Sequence, residues 1–376
     1  MDTGIPMTRI KLQQTGDGSY YVYLPKTLIR EKNLQKGDLV NVSKSRASII
    51  LSPASLSWSN RRKEEKEFEV SEKPEDLEWK IMSAYLSGCL SARFSRLDKK
   101  DFSEKQTTIA NEVIQGLRGI ESSINQKELE FVDIVNYDNV NLYDEVSRML
   151  RIIRALLEQN RNLFGSFRLL KVVADSLHRH WTFEKEQINP VSFYIHRIAS
   201  VQLQFPDLFA RTIQNPVDSQ HVSIITYVLE RIGDVIFGMA ENACQIYMPK
   251  TTTTNVLAYP ASYIEKQMNS NSVALKDVLD AIEKPMRFFF EKNIELSRMV
   301  EDSEEMVCSR NAFRGLQLRS SLKKWRRQFD REIVDVIGKI GNASVSQKLF
   351  PIGFRLRELS TYIESLASRT CQFYYQ

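Results

Sequence analysis

"VLERIGDVIFGMAENACQI", Val228–Ile246, is the stretch on which the fold turns. At about 100° per residue, with Glu230 at zero, Asp234 falls at about 40° and Glu241 at about 20°. On the same wheel Val228, Ile232, Val235, Met239, Ala243 and Ile246 lie between about 140° and 220°. One side is apolar and the far side carries a row of carboxylates, the pattern of a helix lying on a bundle. Glu230 and Asp234, at i and i+4, repel when both are ionised. A hard cation held by carboxylate oxygens would relieve that repulsion, as bundles that hold metals do. Arg231 could relieve it too, and a solvated acidic face needs no ion.

Outward from this helix the chain stays helical from about residue 141 to its end, in what reads as two triplets. The first is "LYDEVSRMLRIIRALLEQNRNLF", a long segment through "SFYIHRIASVQLQF", and the quoted helix. After the polar spacer "TTTTNVLAYPASY" come "VALKDVLDAIEKPMRFFFEKNIELSRMV", "LQLRSSLKKWRRQFDREIVDVIGKI" and "FRLRELSTYIESLASRTCQFYY". Two consecutive three-helix units of similar length, 141–250 and 251–376, suggest duplication. Pro190 and Pro285 fall inside these patterns and are expected to kink or restart the helix.

Residues 7–53 differ in kind. "TRIKLQQT" and "YYVYL" read as strands joined by the turn "GDGS", Pro25 opens the short helix "PKTLIREKN", and "LVNVS" and "SIILS" close the unit after "QKGD". Four short strands cannot bury enough surface alone, so this head is expected to build its core with a second copy of itself. Between head and trunk, 54–140 reads as a linker and small α/β insert. "SWSNRRKEEKEFEVSEKPED" is expected as a solvated helix or linker and "LEWKIMSAYLSGCLSARFSRLD" as a helix. A second helix opens at a Ser103 cap, and "KELEFVDIVN" reads as a strand.

The fold class is thus mainly α, two three-helix units preceded by a small β head and an α/β insert. Fifty-two basic against 47 acidic residues give a net charge of +5 over 376 residues, and residues 1–50 hold +4 of it, from eight basic and four acidic side chains. A basic head is compatible with nucleic acid. The four scattered cysteines form no CxxC pair, which argues against a disulfide framework or a zinc site. No signal peptide and no run of ~18 apolar residues is visible, so a cytoplasmic protein without membrane insertion is expected. No GxGxxG, GxxxxGK[ST], GxSxG or HExxH occurs, and no enzyme is expected.

Two stretches resemble known families. "TRIKLQQTGDGSYYVYLPKTLIREKNLQKGDLVNV" is similar to the SpoVT/AbrB swapped-hairpin DNA-binding domain, which implies a two-fold homodimer and contact with DNA. By position Arg9, Lys11, Lys26 and Arg30 would meet the phosphates and groove edges, while Tyr21 stands where DNA-binding members usually carry an arginine. A head that only dimerises is the alternative. "LERIGDVIFGMAE" resembles the PhoU phosphate-uptake regulators, duplicated three-helix bundles that hold iron, zinc or similar ions on acidic faces. That resemblance implies a divalent or ferric ion at Glu230, Asp234 and Glu241, with Glu186 and Asn189 nearby and Gly238 in place of an asparagine. It implies none in the second unit, where Arg357, Thr361 and Ser368 occupy the acidic positions. An AbrB-like head on a PhoU-like body is the domain order of archaeal phosphate-uptake regulators. Its implied partners are DNA and a phosphate transporter ATPase or a sensor kinase. The alternative is a metal-binding or adaptor protein.

Overall fold

The structure is a computed structural model describing residues 11–31, 34–44, 49–53, 65–205, 216–248, 259–270, 272–309, 312–340 and 343–375. The chain forms two compact units, Met1–Glu64 and Glu65–Gln376. In the first, β1 (Gln13–Gln14) pairs antiparallel with β2 (Tyr20–Tyr21), α1 spans Lys26–Glu31, and β3 (Val40–Lys44) pairs antiparallel with β4 (Ile49–Pro53). The first hairpin turns at Gly18, whose φ of 88° suits a residue without Cβ, and Asp17 accepts the Ser19 amide at 3.1 Å. Large apolar side chains of this unit, among them Leu12, Tyr23, Leu39 and Ile49, are exposed.

The second unit begins with a mixed sheet. Its elements run β5 (Lys66–Val70), α2 (Pro74–Leu86), β6 (Ser91–Arg96), α3 (Glu104–Gln115), β7 (Ile120–Ile124) and β8 (Glu128–Asp133). The strand order is β5-β6-β8-β7, with β5 parallel to β6 and the other pairs antiparallel. Phe68, Phe94 and Phe131 pack across three neighbouring strands, ring centroids 5.1 and 5.8 Å apart. Two expectations are corrected here. Lys66–Val70, expected in a solvated helix or linker, is a strand, because Phe68 and Val70 alternate with charged neighbours and turn inward. The expected helix through residue 98 stops at Leu86. Gly88, at φ 78°, closes a Schellman motif in which the Gly88 amide donates to Tyr85 and the Cys89 amide to Ala84.

The trunk comprises α4 (Leu142–Gly165), α5 (Leu170–Phe183), α6 (Asn189–Gln204), α7 (Pro216–Tyr247), α8 (Ala261–Ser270), α9 (Ser272–Ser309), α10 (Ala312–Gly338) and α11 (Ala343–Tyr375). A π-helical turn, Glu184–Ile188, joins α5 to α6, and Pro190 follows where the helix restarts. Pro285 lies inside α9, which continues through it. The helix α7 packs on α4, α6 and α11, while α4 packs on α9 and α11 on α9 and α10. The central layer is therefore α4, α7, α9 and α11, filled by residues such as Leu157, Ile232, Met239, Phe289, Ile352 and Leu359. Its apolar stripes are the 3.6-residue periodicities visible in the sequence. Among the described residues no helix is long and apolar enough to cross a membrane.

Candidate functional site

The helix α7 is more enclosed than a one-faced wheel suggests. Leu229, Ile236 and Ala240, outside the apolar arc, are buried as well, because α7 has neighbours on three sides. Glu230, Asp234 and Glu241 are left in a narrow, half-buried strip. The Ser192 hydroxyl on α6 donates to Glu230 at 2.9 Å. Burial raises the Glu230 carboxyl above its ordinary range against that hydrogen bond, and the Asp234 charge adds to the rise. Asp234 pairs with Arg231 at 2.9 Å, and Arg231 is steadied by Tyr227, whose hydroxyl accepts from Nε at 3.2 Å. Beside Glu241 the Cys244 thiol is pushed up to about 12, first by burial and then by that carboxylate.

Gly238, at the middle of this strip, makes room for Arg355 of α11. A Cβ there would stand 3.1 Å from the Arg355 Nε, and Arg355 is itself paired with Glu358 at 3.0 Å. The cationic neighbours of the strip are thus guanidinium groups of the chain. Glu186 lies exposed in the π turn and Asn189 half-buried just after it. Among the described residues no three His, Cys, Asp or Glu side chains converge to hold a metal ion. Glu230 and Asp234 each have a partner within the chain, Ser192 and Arg231. At the corresponding places in the second half Arg357 pairs with Asp330 at 2.7 Å, and Thr361 accepts from Arg326 at 3.3 Å. The Ser368 hydroxyl donates back to the Glu364 carbonyl at 2.8 Å.

In the head Lys11, Lys26 and Arg30 are exposed, and Arg9 lies outside the described residues. Lys26 and Arg30 stand at i and i+4 on α1, so their charges share one helix face. The basic segment "KKWRR" divides: Trp325 is buried and stacks on Phe329 at 4.8 Å, Arg326 pairs with Glu364, and Lys323, Lys324 and Arg327 face outward.

The polar centre that local spacing does not disclose lies where the sheet meets the trunk. Arg197 of α6 and Asp133 at the end of β8 are both fully buried and paired. Arg197 donates from Nη1 to the Tyr85 carbonyl at 2.9 Å and from Nη2 to the Cys89 carbonyl at 2.8 Å. Its guanidinium lies 4.7 Å from the Tyr85 ring centroid. Asp133 accepts from the Tyr137 hydroxyl at 2.7 Å and from the Val135 amide at 2.8 Å. Burial, reinforced by the Asp133 charge, drives the Tyr137 hydroxyl far above its ordinary range, so it stays protonated and donates to Asp133. Four of the five guanidinium N–H groups and both carboxylate oxygens are engaged, which is what lets two charges stay in the interior. His180 is buried too, Nδ1 2.6 Å from the Ser176 carbonyl and Nε2 2.8 Å from the Asn160 amide. His180 is thus a core residue of α5, while its neighbours His178 and Arg179 are half-buried and exposed. Comparisons with protein families, with curated proteins and with solved structures return no match to this chain.

Proposed function

We infer that this chain is a non-enzymatic, dimeric, DNA-binding regulator of phosphate uptake, whose helical body receives a signal of phosphate status. The observation that carries the reading is the surface of the head. Eleven large apolar side chains are exposed there, from Leu12 at 65% and Tyr23 at 67% to Leu39 at 79% and Ile49 at 73%. A unit that exposes so many apolar side chains gains stability by covering them, and a second copy in two-fold symmetry is the simplest cover. Pairing the heads would double the exposed cations Lys11, Lys26 and Arg30, giving the array that phosphate backbones attract. The phosphate assignment comes from the likeness of the α7 motif to the PhoU regulators.

Coupling follows from symmetry. A partner that binds one arrangement of the two bodies better than another shifts its population, and with it the spacing of the paired heads on DNA. The test is genome-wide DNA occupancy at high and low phosphate. Occupancy that clusters at phosphate-transport genes and changes between the two conditions is expected; no enrichment in either overturns the reading. In vitro, salt-dependent binding to duplex DNA should be lost in Arg9→Ala/Lys11→Ala. Affinity indifferent to those changes favours an adaptor whose head only dimerises.

A further inference from the structure

A hollow of about 700 Å³ opens along the seam between α4 and α9. Its charged lining is Arg151, Arg154 and Arg161 from α4 and Arg298 from α9, against Glu158 and Glu301. The α4 positions recur every three or four residues, so they form one ridge along the seam. Arg154 is engaged by Glu304 at 2.8 Å and Glu301 at 3.3 Å, and Arg161 by Glu158 at 3.2 Å. Arg151 and Arg298, both exposed, have no carboxylate partner among the described residues. They stand on the two different walls. Ala155 and Ser297 also line the hollow, and their short side chains leave the space between the arginines open. A second hollow, of about 830 Å³ between α9 and α10, has a balanced lining of Arg298 and Arg314 with Glu295 and Asp302. The excess of positive charge belongs to the α4–α9 seam.

We propose that this seam binds a small phosphate-bearing anion between Arg151 and Arg298. The guanidinium fork matches phosphate oxygens with two parallel hydrogen bonds, and two forks from opposite walls would hold one phosphate group from both sides. The size fits a small ligand, whose sites span about 300–1,000 Å³. A protein partner typically needs about 20–30 residues a side, far more than the nine that line this hollow. The inference deepens the reading of the trunk as receiver of a phosphate signal and rests on that reading for its purpose, though not for its geometry.

The test is calorimetry on the full chain at low salt, with inorganic phosphate, pyrophosphate and a hexaglutamate peptide as separate probes. Arg151→Gln/Arg298→Gln is measured alongside, with a melting curve to verify that it folds. Phosphate or pyrophosphate binds, and the double variant binds about tenfold or more weakly, since charge-assisted hydrogen bonds to two arginines are lost. Tighter binding of inorganic phosphate identifies the free ion as ligand; tighter binding of pyrophosphate identifies a phosphorylated small molecule. The proposal is overturned if neither binds, if the variant binds equally well, or if hexaglutamate binds as tightly, which would make the seam a docking groove for acidic protein. Because no DNA is present, failure here leaves the DNA-binding reading standing, and loss of genomic occupancy leaves this one.

Discussion

Arg197 shows what one side chain contributes when it is buried among carbonyls and a carboxylate. Replacing it by Met leaves the buried Asp133 charge without its cation and the Tyr85 and Cys89 carbonyls without the guanidinium, and a buried pair broken on one side costs about 3–5 kcal/mol. Urea unfolding of Arg197→Met should reveal that loss, and Arg197→Met/Asp133→Leu should recover part of it, because no uncompensated charge remains. Recovery of nothing would mean the carbonyls, not the charge, dominate. His180 makes a second case. Both ring nitrogens face an oxygen, Nδ1 the Ser176 carbonyl and Nε2 the Asn160 Oδ1, and the neutral ring has one N–H to give between them. Burial lowers the His180 pKa from 6.5 to about 4. A lowered pKa means the unfolded chain takes up the proton first, so stability is complete above pH 6.5 and declines as pH falls toward 4. The fall amounts to about 3 kcal/mol. Thermal melts from pH 7 to pH 4 should be steeper for the natural protein than for His180→Gln; parallel curves would refute the assignment. Neither residue was legible from spacing. The Asp133 partner of Arg197 is 64 positions away, and nothing in "YIHRIASV" tells a buried arginine from one on a wet face.

At the level of elements, signals confined to one turn of chain were the readable ones. Ser103 and Gln106 form the reciprocal capping box that starts α3, with the Gln106 amide 3.2 Å from the Ser103 hydroxyl, and the S-x-x-Q spacing announces it. The strand β6 was hidden because "CLSARFSRL" follows a helix without a break in hydrophobicity. Its strand form is decided by pairing with β5 and β8, which are remote in sequence. The stop signal was Gly88, present but easily overlooked as a helical glycine. Its φ is 78°, and a Cβ would lie 3.0 Å from the Val201 side chain and backbone. Gly88→Ala should therefore cost more than the ~1 kcal/mol of a left-handed alanine, since α6 must also yield. Denaturant unfolding measures it; a loss below 1 kcal/mol would show that the turn relaxes to negative φ. The acidic strip illustrates the converse. Three carboxylates in a row were plain in the sequence, but their neighbours Ser192 and Arg355 come from other helices, and those neighbours decide what the row can hold.

For the whole molecule, the two units meet the demands of burial differently. The trunk closes four helices on one core, with Phe164 against Phe289 at 5.8 Å joining α4 to α9. Its helical character was visible because each helix carries its own apolar stripe. The head's strands were equally visible, yet eleven of its large apolar side chains are exposed. In β3 and β4, Val42 stands opposite Leu51, and Val42 and Ile49 are 68% and 73% exposed. Covering both fully in a dimer would contribute about 1.5–3 kcal/mol per side chain, and a charge placed at either position would forfeit that gain and incur a desolvation cost. If the heads pair as proposed, Val42→Asp/Ile49→Asp should be monomeric in light scattering across a concentration series where the natural protein is dimeric, while the melting of the trunk stays unchanged. Because each half-array of Lys11, Lys26 and Arg30 would then act alone, affinity for duplex DNA and the slope of its salt dependence should both fall, the slope by about half if half the phosphate contacts are lost. A variant that stays dimeric would place the dimer contact elsewhere in the chain, and a natural protein that is already monomeric would remove the paired head from the argument altogether.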